Sequence, residues 1–273
     1  MLDLLLPGLA TLVGLAGTGL YLFQDKLIYF PRPYAKEDLE GFAGRGGLLL
    51  PFAAPHGQQV AFYLPGAGTP RQIWYCFAGN GGQALAWEDF ARANAAEGRS
   101  FLFVEWPGYG ASEGSPRPAT LRDSVRGATA ALANHLGTSE EALRPRCAVI
   151  GHSLGCAGAL IAAGELGARQ AILFAPFTSL RDMAVLRKGP LIALLLKHDY
   201  DNRAALAGLV AQPGARVTVF HGTADQVIPI RMARELQARH PESVTLIELP
   251  GLGHGGLFAA AEQELAAAMA LQP

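Results

Sequence analysis

Gly151-His152-Ser153-Leu154-Gly155 stands between two apolar runs, Cys147-Ala148-Val149-Ile150 before it and Cys156–Ala163 after it. A serine between a strand and a helix in this way sits on a sharp turn, its hydroxyl clear of the sheet and free to attack. Gly151 and Gly155 fall where a side chain would collide across that turn. A Gly-rich turn with Ser153 as a helix cap accounts for the same five residues equally well. The partners must decide. Asp225 lies just past the run Val217–Phe220, and His254 just past Val244–Leu249, so each sits at a strand end as Ser153 does. A serine hydroxyl is a poor nucleophile at neutral pH and needs a base. An imidazole, with a pKa near ~6.5, can take that proton and return it to a leaving group. A carboxylate on the other ring nitrogen fixes the tautomer and stabilises the imidazolium. Taken singly, Asp225 reads as a turn or cap residue and His254 as a loop histidine. Taken together, they predict a Ser153–His254–Asp225 triad.

Such a reaction also needs two backbone N–H groups for the oxyanion. Leu154, the residue after the serine, is one candidate. The other belongs to Phe77-Ala78-Gly79-Asn80-Gly81-Gly82, with Asn80 as first choice and Gly79 as second. A phosphate-cradling loop would use the same glycines, but the Lys and Ser/Thr of that motif are missing.

Positioning these residues requires strands that end together. Gly47–Phe52, Gln59–Leu64, Gln72–Phe77, Ser100–Glu105, Arg146–Ile150, Gln170–Phe174, Ala215–Phe220 and Ser243–Leu249 all read as strands. Helical patterns over Gln83–Glu97, Pro118–Leu136, Cys156–Ala163, Ile230–Arg239 and Leu257–Leu271 fall between or after them. Near-continuous apolar strands alternating with helices predict an α/β protein whose mostly parallel sheet is covered on both faces. Residues 178–210 are too long for a simple crossover and are expected to form a small helical cap, the alternative being a crossover helix with a ragged entry.

Half of the 273 residues are hydrophobic and 16% are charged, so the chain can bury a large core. A net charge of −1 with dispersed basic residues excludes a nucleic-acid partner. Cys76, Cys147 and Cys156 match no metal or disulfide spacing and read as buried small hydrophobes. No metal and no organic cofactor is implied.

Leu4–Phe23 is an uncharged stretch of 20 residues, about the length that crosses a ~30 Å hydrocarbon core as a helix. No basic segment precedes it and no small-residue cleavage site follows, which disfavours a signal peptide. A buried helix of the domain is disfavoured by the lack of a polar face. The expectation is a single-pass membrane anchor over residues 1–24, a juxtamembrane linker over 25–46 and a catalytic domain over 47–273. Lys26, Arg32 and Lys36 follow the span, which places that domain in the cytoplasm.

The motifs Gly-His-Ser-Leu-Gly at 151–155, His-Gly-Thr-Ala-Asp-Gln-Val-Ile-Pro at 221–229, Gly-Leu-Gly-His-Gly-Gly at 251–256 and Phe-Ala-Gly-Asn-Gly-Gly at 77–82 resemble the serine α/β-hydrolase superfamily. The chain order Ser, Asp, His is also that of the superfamily. Tyr29-Phe30-Pro31, Trp106–Gly114, Pro176–Leu180 and Tyr200-Asp201-Asn202 resemble its BEM46-like, ABHD-type membrane-anchored branch. The resemblance runs from about Gln24 to the C-terminus. It implies an eight-stranded α/β-hydrolase fold and cleavage of fatty acyl esters or thioesters such as lysolipids, monoacylglycerols or acylated proteins. Two departures stand out: Ala78 where relatives carry His, and Pro107 where they carry Arg. Haloalkane dehalogenases and epoxide hydrolases carry Asp where Ser153 stands and are disfavoured. The expected activity is a serine ester hydrolase acting on a small-molecule ester or acylated substrate. An aminopeptidase or amidase, with Glu113 or Asp199 holding the amine, is one alternative; a non-catalytic membrane-tethered binding protein is another.

Overall fold

Eight strands form one sheet in the order β1-β2-β4-β3-β5-β6-β7-β8. They are β1 (Leu48–Ala54), β2 (Gly57–Leu64), β3 (Gln72–Phe77), β4 (Arg99–Val104), β5 (Cys147–His152), β6 (Gln170–Phe174), β7 (Arg216–Gly222) and β8 (Val244–Leu249). The computed structural model describes residue 15 and residues 17–270. β2 runs antiparallel to both β1 and β4, and the remaining pairs are parallel.

The covered sheet follows from strands that are apolar on both faces. In β3, Ile73, Tyr75 and Phe77 enter one core, while Trp74 and Cys76 enter the other. That alternation is the period of two expected of a strand. On the first face lie α4 (Pro118–Leu136), the short α5 (Glu140–Leu143), α6 (Leu154–Leu166), α9 (Asn202–Val210) and α10 (Arg231–Arg239). On the second lie α2 (Lys36–Gly44), α3 (Glu88–Ala93) and α11 (Glu262–Ala268). The three cysteines are buried and unpaired.

Residues 178–210 divide in two. Ser179 caps α7 (Leu180–Lys188) through Asp182 N at 3.0 Å, and α8 (Pro190–Ala193) follows. Asp201 caps α9, whose Leu206 and Leu209 are buried in the main core. The segment is therefore a two-helix cover followed by a core-packed crossover helix.

The expected membrane span is corrected. No helix among the described residues is long and apolar enough to cross a membrane. Among the described residues, 17–28 are helical (α1), a stretch of ~18 Å at 1.5 Å per residue. Its Gln24 is buried, with Nε2 donating to the Leu195 carbonyl at 2.9 Å and Oε1 accepting from Lys197 N at 2.8 Å. These bonds dock α1 on the domain. The rest of the expected span, residues 1–14 and 16, lies outside the described residues. The 25–46 stretch is also more than a linker, because α2 buries Phe42 against Phe62.

Candidate active site

β3 and β5 are neighbours, but the chain leaves them in opposite directions, β3 toward β4 and β5 toward β6. Crevices at such points hold ligands in open α/β sheets. The loop with Gly79 and Asn80 follows β3, and Ser153 follows β5. Asp225 and His254 follow β7 and β8 on the same edge.

Ser153 has φ 56° and ψ −120°, a conformation that L-residues rarely adopt. Its N–H donates to the Phe174 carbonyl at 2.8 Å. The flanking glycines are sterically required. A Cβ at Gly151 would stand 2.2 Å from the Gly155 carbonyl oxygen, and one at Gly155 would stand 2.0 Å from that of Phe77.

His254 Nε2 lies 3.0 Å from Ser153 Oγ, and His254 Nδ1 lies 2.8 Å from Asp225 Oδ2. The structure thus brings together the three side chains that the motifs single out. Asp225 Oδ1 accepts the N–H groups of Val227 and Ile228 at 2.8 and 2.9 Å. One oxygen caps a turn while the other faces His254, so the two readings of Asp225 coexist.

The N–H groups of Asn80 and Leu154 have no acceptor among the described residues. Leu154 opens α6, where the first N–H groups are unpaired by construction and the helix dipole favours negative charge. The Asn80 side chain turns the other way. Its Nδ2 donates to the Ile28 carbonyl at 2.5 Å, and its Oδ1 accepts from Tyr109 Oη at 2.8 Å and Phe30 N at 3.2 Å. Ala78 is fixed by its backbone, its carbonyl accepting from Trp106 Nε1 at 2.9 Å. We find no structural consequence of Pro107.

Three further groups escaped the sequence reading. His152 Nε2 donates to the His254 carbonyl at 3.1 Å, and burial lowers the pKa of its ring. His221 is fully buried beside Asp225, at 3.4 Å from Oδ2, and donates to the Ile228 carbonyl at 2.8 Å; burial lowers its pKa as well. Glu105 is buried at the end of β4, accepting from Tyr34 Oη at 2.5 Å and from the N–H groups of Ala84 and Trp106. Burial pushes its carboxyl up to about 7. Both histidines lie inside the motifs already noted, His152 directly before Ser153 and His221 four residues before Asp225, and that spacing was the available signal.

Two cavities flank Ser153. One of about 640 Å³ is lined by Ser153, Asn80 and Leu154 together with apolar residues of α1, α7 and the 192–196 stretch. The other, about 210 Å³, is lined by Ser153, His254, Gly79, Trp87, His152 and Phe258, among others. Glu113 and Asp199 line neither, being engaged by Gln58 N and Arg181 N.

A family model described as the alpha/beta hydrolase family matches residues 61–209, more than half of the chain. The chain belongs to the alpha/beta hydrolase family. This alpha/beta hydrolase is 29% identical over 256 residues to the uncharacterized protein Rv2307c of Mycobacterium tuberculosis, covering 89% of this chain and 86% of that one. It is 25% identical over 246 residues to the uncharacterized protein YfhR of Escherichia coli, covering 87% and 80%. An alpha/beta hydrolase structure from Vibrio vulnificus matches it with a TM-score of 0.70 at 16% identity, covering 90% and 92%. The Pyrococcus furiosus esterase PF2001 matches with a TM-score of 0.63 at 13% identity, covering 88% and 94%. At these identities the two solved structures share the fold.

Proposed function

We propose that this alpha/beta hydrolase is a serine hydrolase that cleaves carboxylic esters or thioesters carrying an acyl chain. The observation that carries the reading is the chain of contacts from Asp225 Oδ2 through both nitrogens of His254 to Ser153 Oγ, at 2.8 and 3.0 Å. Ser153 Oγ attacks the acyl carbonyl while His254 takes its proton, and the carbonyl oxygen becomes an oxyanion held by the N–H groups of Asn80 and Leu154. Collapse breaks the bond to the leaving group, which departs with the proton from His254. Water then attacks the acyl-enzyme, His254 again acting first as base and then as acid.

Further support comes from the apolar cavity beside Ser153 and from solved esterases of the same fold. The amidase alternative loses its candidate amine anchors, since Glu113 and Asp199 lie away from both cavities. Tyr29-Phe30-Pro31 and Trp106–Gly114 support a place in the BEM46-like branch, and Phe30 and Tyr109 from these motifs hold the Asn80 side chain.

The test is hydrolysis of an octanoyl ester by wild type, Ser153→Ala and His254→Ala. Each substitution should lower kcat by about 10⁴-fold or more, as expected when members of a triad act as one unit. A folded Ser153→Ala variant that retains wild-type turnover would refute the reading.

A further inference from the structure

The two cavities at Ser153 are not equivalent with respect to the base. His254 lines the smaller one and not the larger. That difference orients a substrate. When the tetrahedral intermediate collapses, the bond between the carbonyl carbon and the leaving oxygen or sulfur breaks. Its electron pair goes to that heteroatom, and the proton from His254 Nε2 follows. The heteroatom must therefore come within about 3 Å of Nε2. The leaving group is then carried over His254 into the smaller cavity, and the acyl substituent is left with the other direction.

On the basis of the serine-esterase reading above, we propose that the substrates are long-chain acyl esters or thioesters of short alcohols or thiols. The acyl chain occupies the cavity of about 640 Å³, and the leaving group that of about 210 Å³.

The walls match these occupants. Leu20, Leu27 and Ile28 line the larger cavity from the N-terminal side, and Ile192, Leu195 and Leu196 from the cover. Gln24 also lines it, but its amide is spent on the Leu195 carbonyl and Lys197 N, so it offers no free polar group to the interior. The two charged lining residues, Arg187 and Lys188, are exposed, and Arg187 is held by the Gln226 and Val227 carbonyls. An unsubstituted hydrocarbon chain suits such walls. Each methylene buried there should raise kcat/KM about fourfold until the cavity is full. Part of this acyl wall lies ahead of residue 61, outside the region shared with the family model. Trp87, Phe258 and Ala86 line the smaller cavity, whose volume of about 210 Å³, a third of the other's, sets the limit on the leaving group.

The experiment uses the full chain and two ester series. One varies the acyl group from acetyl to palmitoyl on a methyl ester. The other varies the alcohol from methyl to octyl on octanoate. The proposal expects kcat/KM to climb about fourfold per acyl methylene, and to fall at least tenfold as the alcohol lengthens to octyl. Ala184→Trp, on the wall of the larger cavity, should move the acyl optimum to shorter chains and leave the ranking of alcohols as it was. Ala86→Trp should do the reverse. Covalent labelling of each variant by a small fluorophosphonate reports that its site is folded. Labelled protein with a flat acyl series, or with the two variants exchanging effects, overturns the orientation alone. Absence of both labelling and hydrolysis in folded wild type overturns the esterase reading beneath it as well.

Discussion

His152 Nε2 and the His254 carbonyl lie 3.1 Å apart, so the residue before the serine holds the loop that carries the imidazole. The two rings are 4.9 Å apart with a 42° tilt. A carbonyl partner requires the proton on Nε2. Burial lowers the His152 pKa, which keeps the ring neutral at neutral pH with that proton in place. His152→Ala should lower kcat about tenfold, the worth of one positioning hydrogen bond, with KM nearly unchanged. His152→Gln, which keeps a donor, should recover part of the loss. Steady-state kinetics of the pair checks this, and a change confined to KM would count against it.

Asn80 joins the loop after β3, proposed above to hold the oxyanion, to the N-terminal segment through Ile28, Phe30 and Tyr109. Asn80→Ala keeps the backbone N–H but frees the loop. We expect kcat to drop about tenfold, short of the 10²–10³-fold seen when an oxyanion donor is removed outright. Tyr109→Phe should act in the same direction and more weakly. Unchanged kcat in both variants would show that the loop holds itself.

Glu105 gives the protein a pH-dependent stability. Its carboxyl titrates near 7 in the folded state because it is buried, against an ordinary value of 4.5. Between those pH values the folded protein binds more protons than the unfolded chain. The contribution is therefore fully present below about 4.5 and is lost as pH rises through about 7. The loss amounts to about 3 kcal/mol. Denaturant unfolding from pH 4.5 to 8 should show this decline, and Glu105→Gln should flatten it. Equal slopes in the two proteins would be the contrary result.

Two glycines of α6, Gly155 and Gly164, predict opposite effects on substitution. Gly155→Ala places a Cβ 2.0 Å from the Phe77 carbonyl oxygen, a contact with backbone that nothing flexible can relieve. It should cost more than about 3 kcal/mol. Gly164→Ala, in the same α6 with nothing within 4 Å of the new Cβ, should stabilise by up to ~1 kcal/mol. Thermal melts of both variants decide the point.

The central strands were legible in the sequence because the sheet buries both their faces, leaving runs such as Ile73–Phe77 apolar throughout, while the edge strands β1 and β8, partly exposed, were legible as short apolar runs bounded by turn residues. The candidate site was legible for a related reason, since the singled-out residues fall at strand ends and the sheet aligns those ends. Helices bounded by tertiary contacts were less legible. Of the expected Leu257–Leu271 helix, whose last residue lies outside the described ones, residues 257–261 are not helical and α11 begins only at Glu262, because Phe258 turns back to pack on Phe174 with ring centroids 4.6 Å apart. The expected Gln83–Glu97 helix splits into a 3₁₀ turn and the short α3. Residues Lys36–Gly44 hold two glycines and a single buried residue, too little pattern to reveal α2. At the N-terminus, composition alone does not separate a lipid-facing helix from one docked on protein. For α1 the separating feature is Gln24, whose partners lie more than 170 positions away.

The central claim is that Ser153 is the nucleophile, and intact-mass analysis after treatment with an alkyl fluorophosphonate tests it most directly. Wild type should gain one phosphonyl adduct, mapped by peptide sequencing to Ser153, and Ser153→Ala should gain none. A folded wild type that stays unmodified, or an adduct that persists in Ser153→Ala, would contradict it.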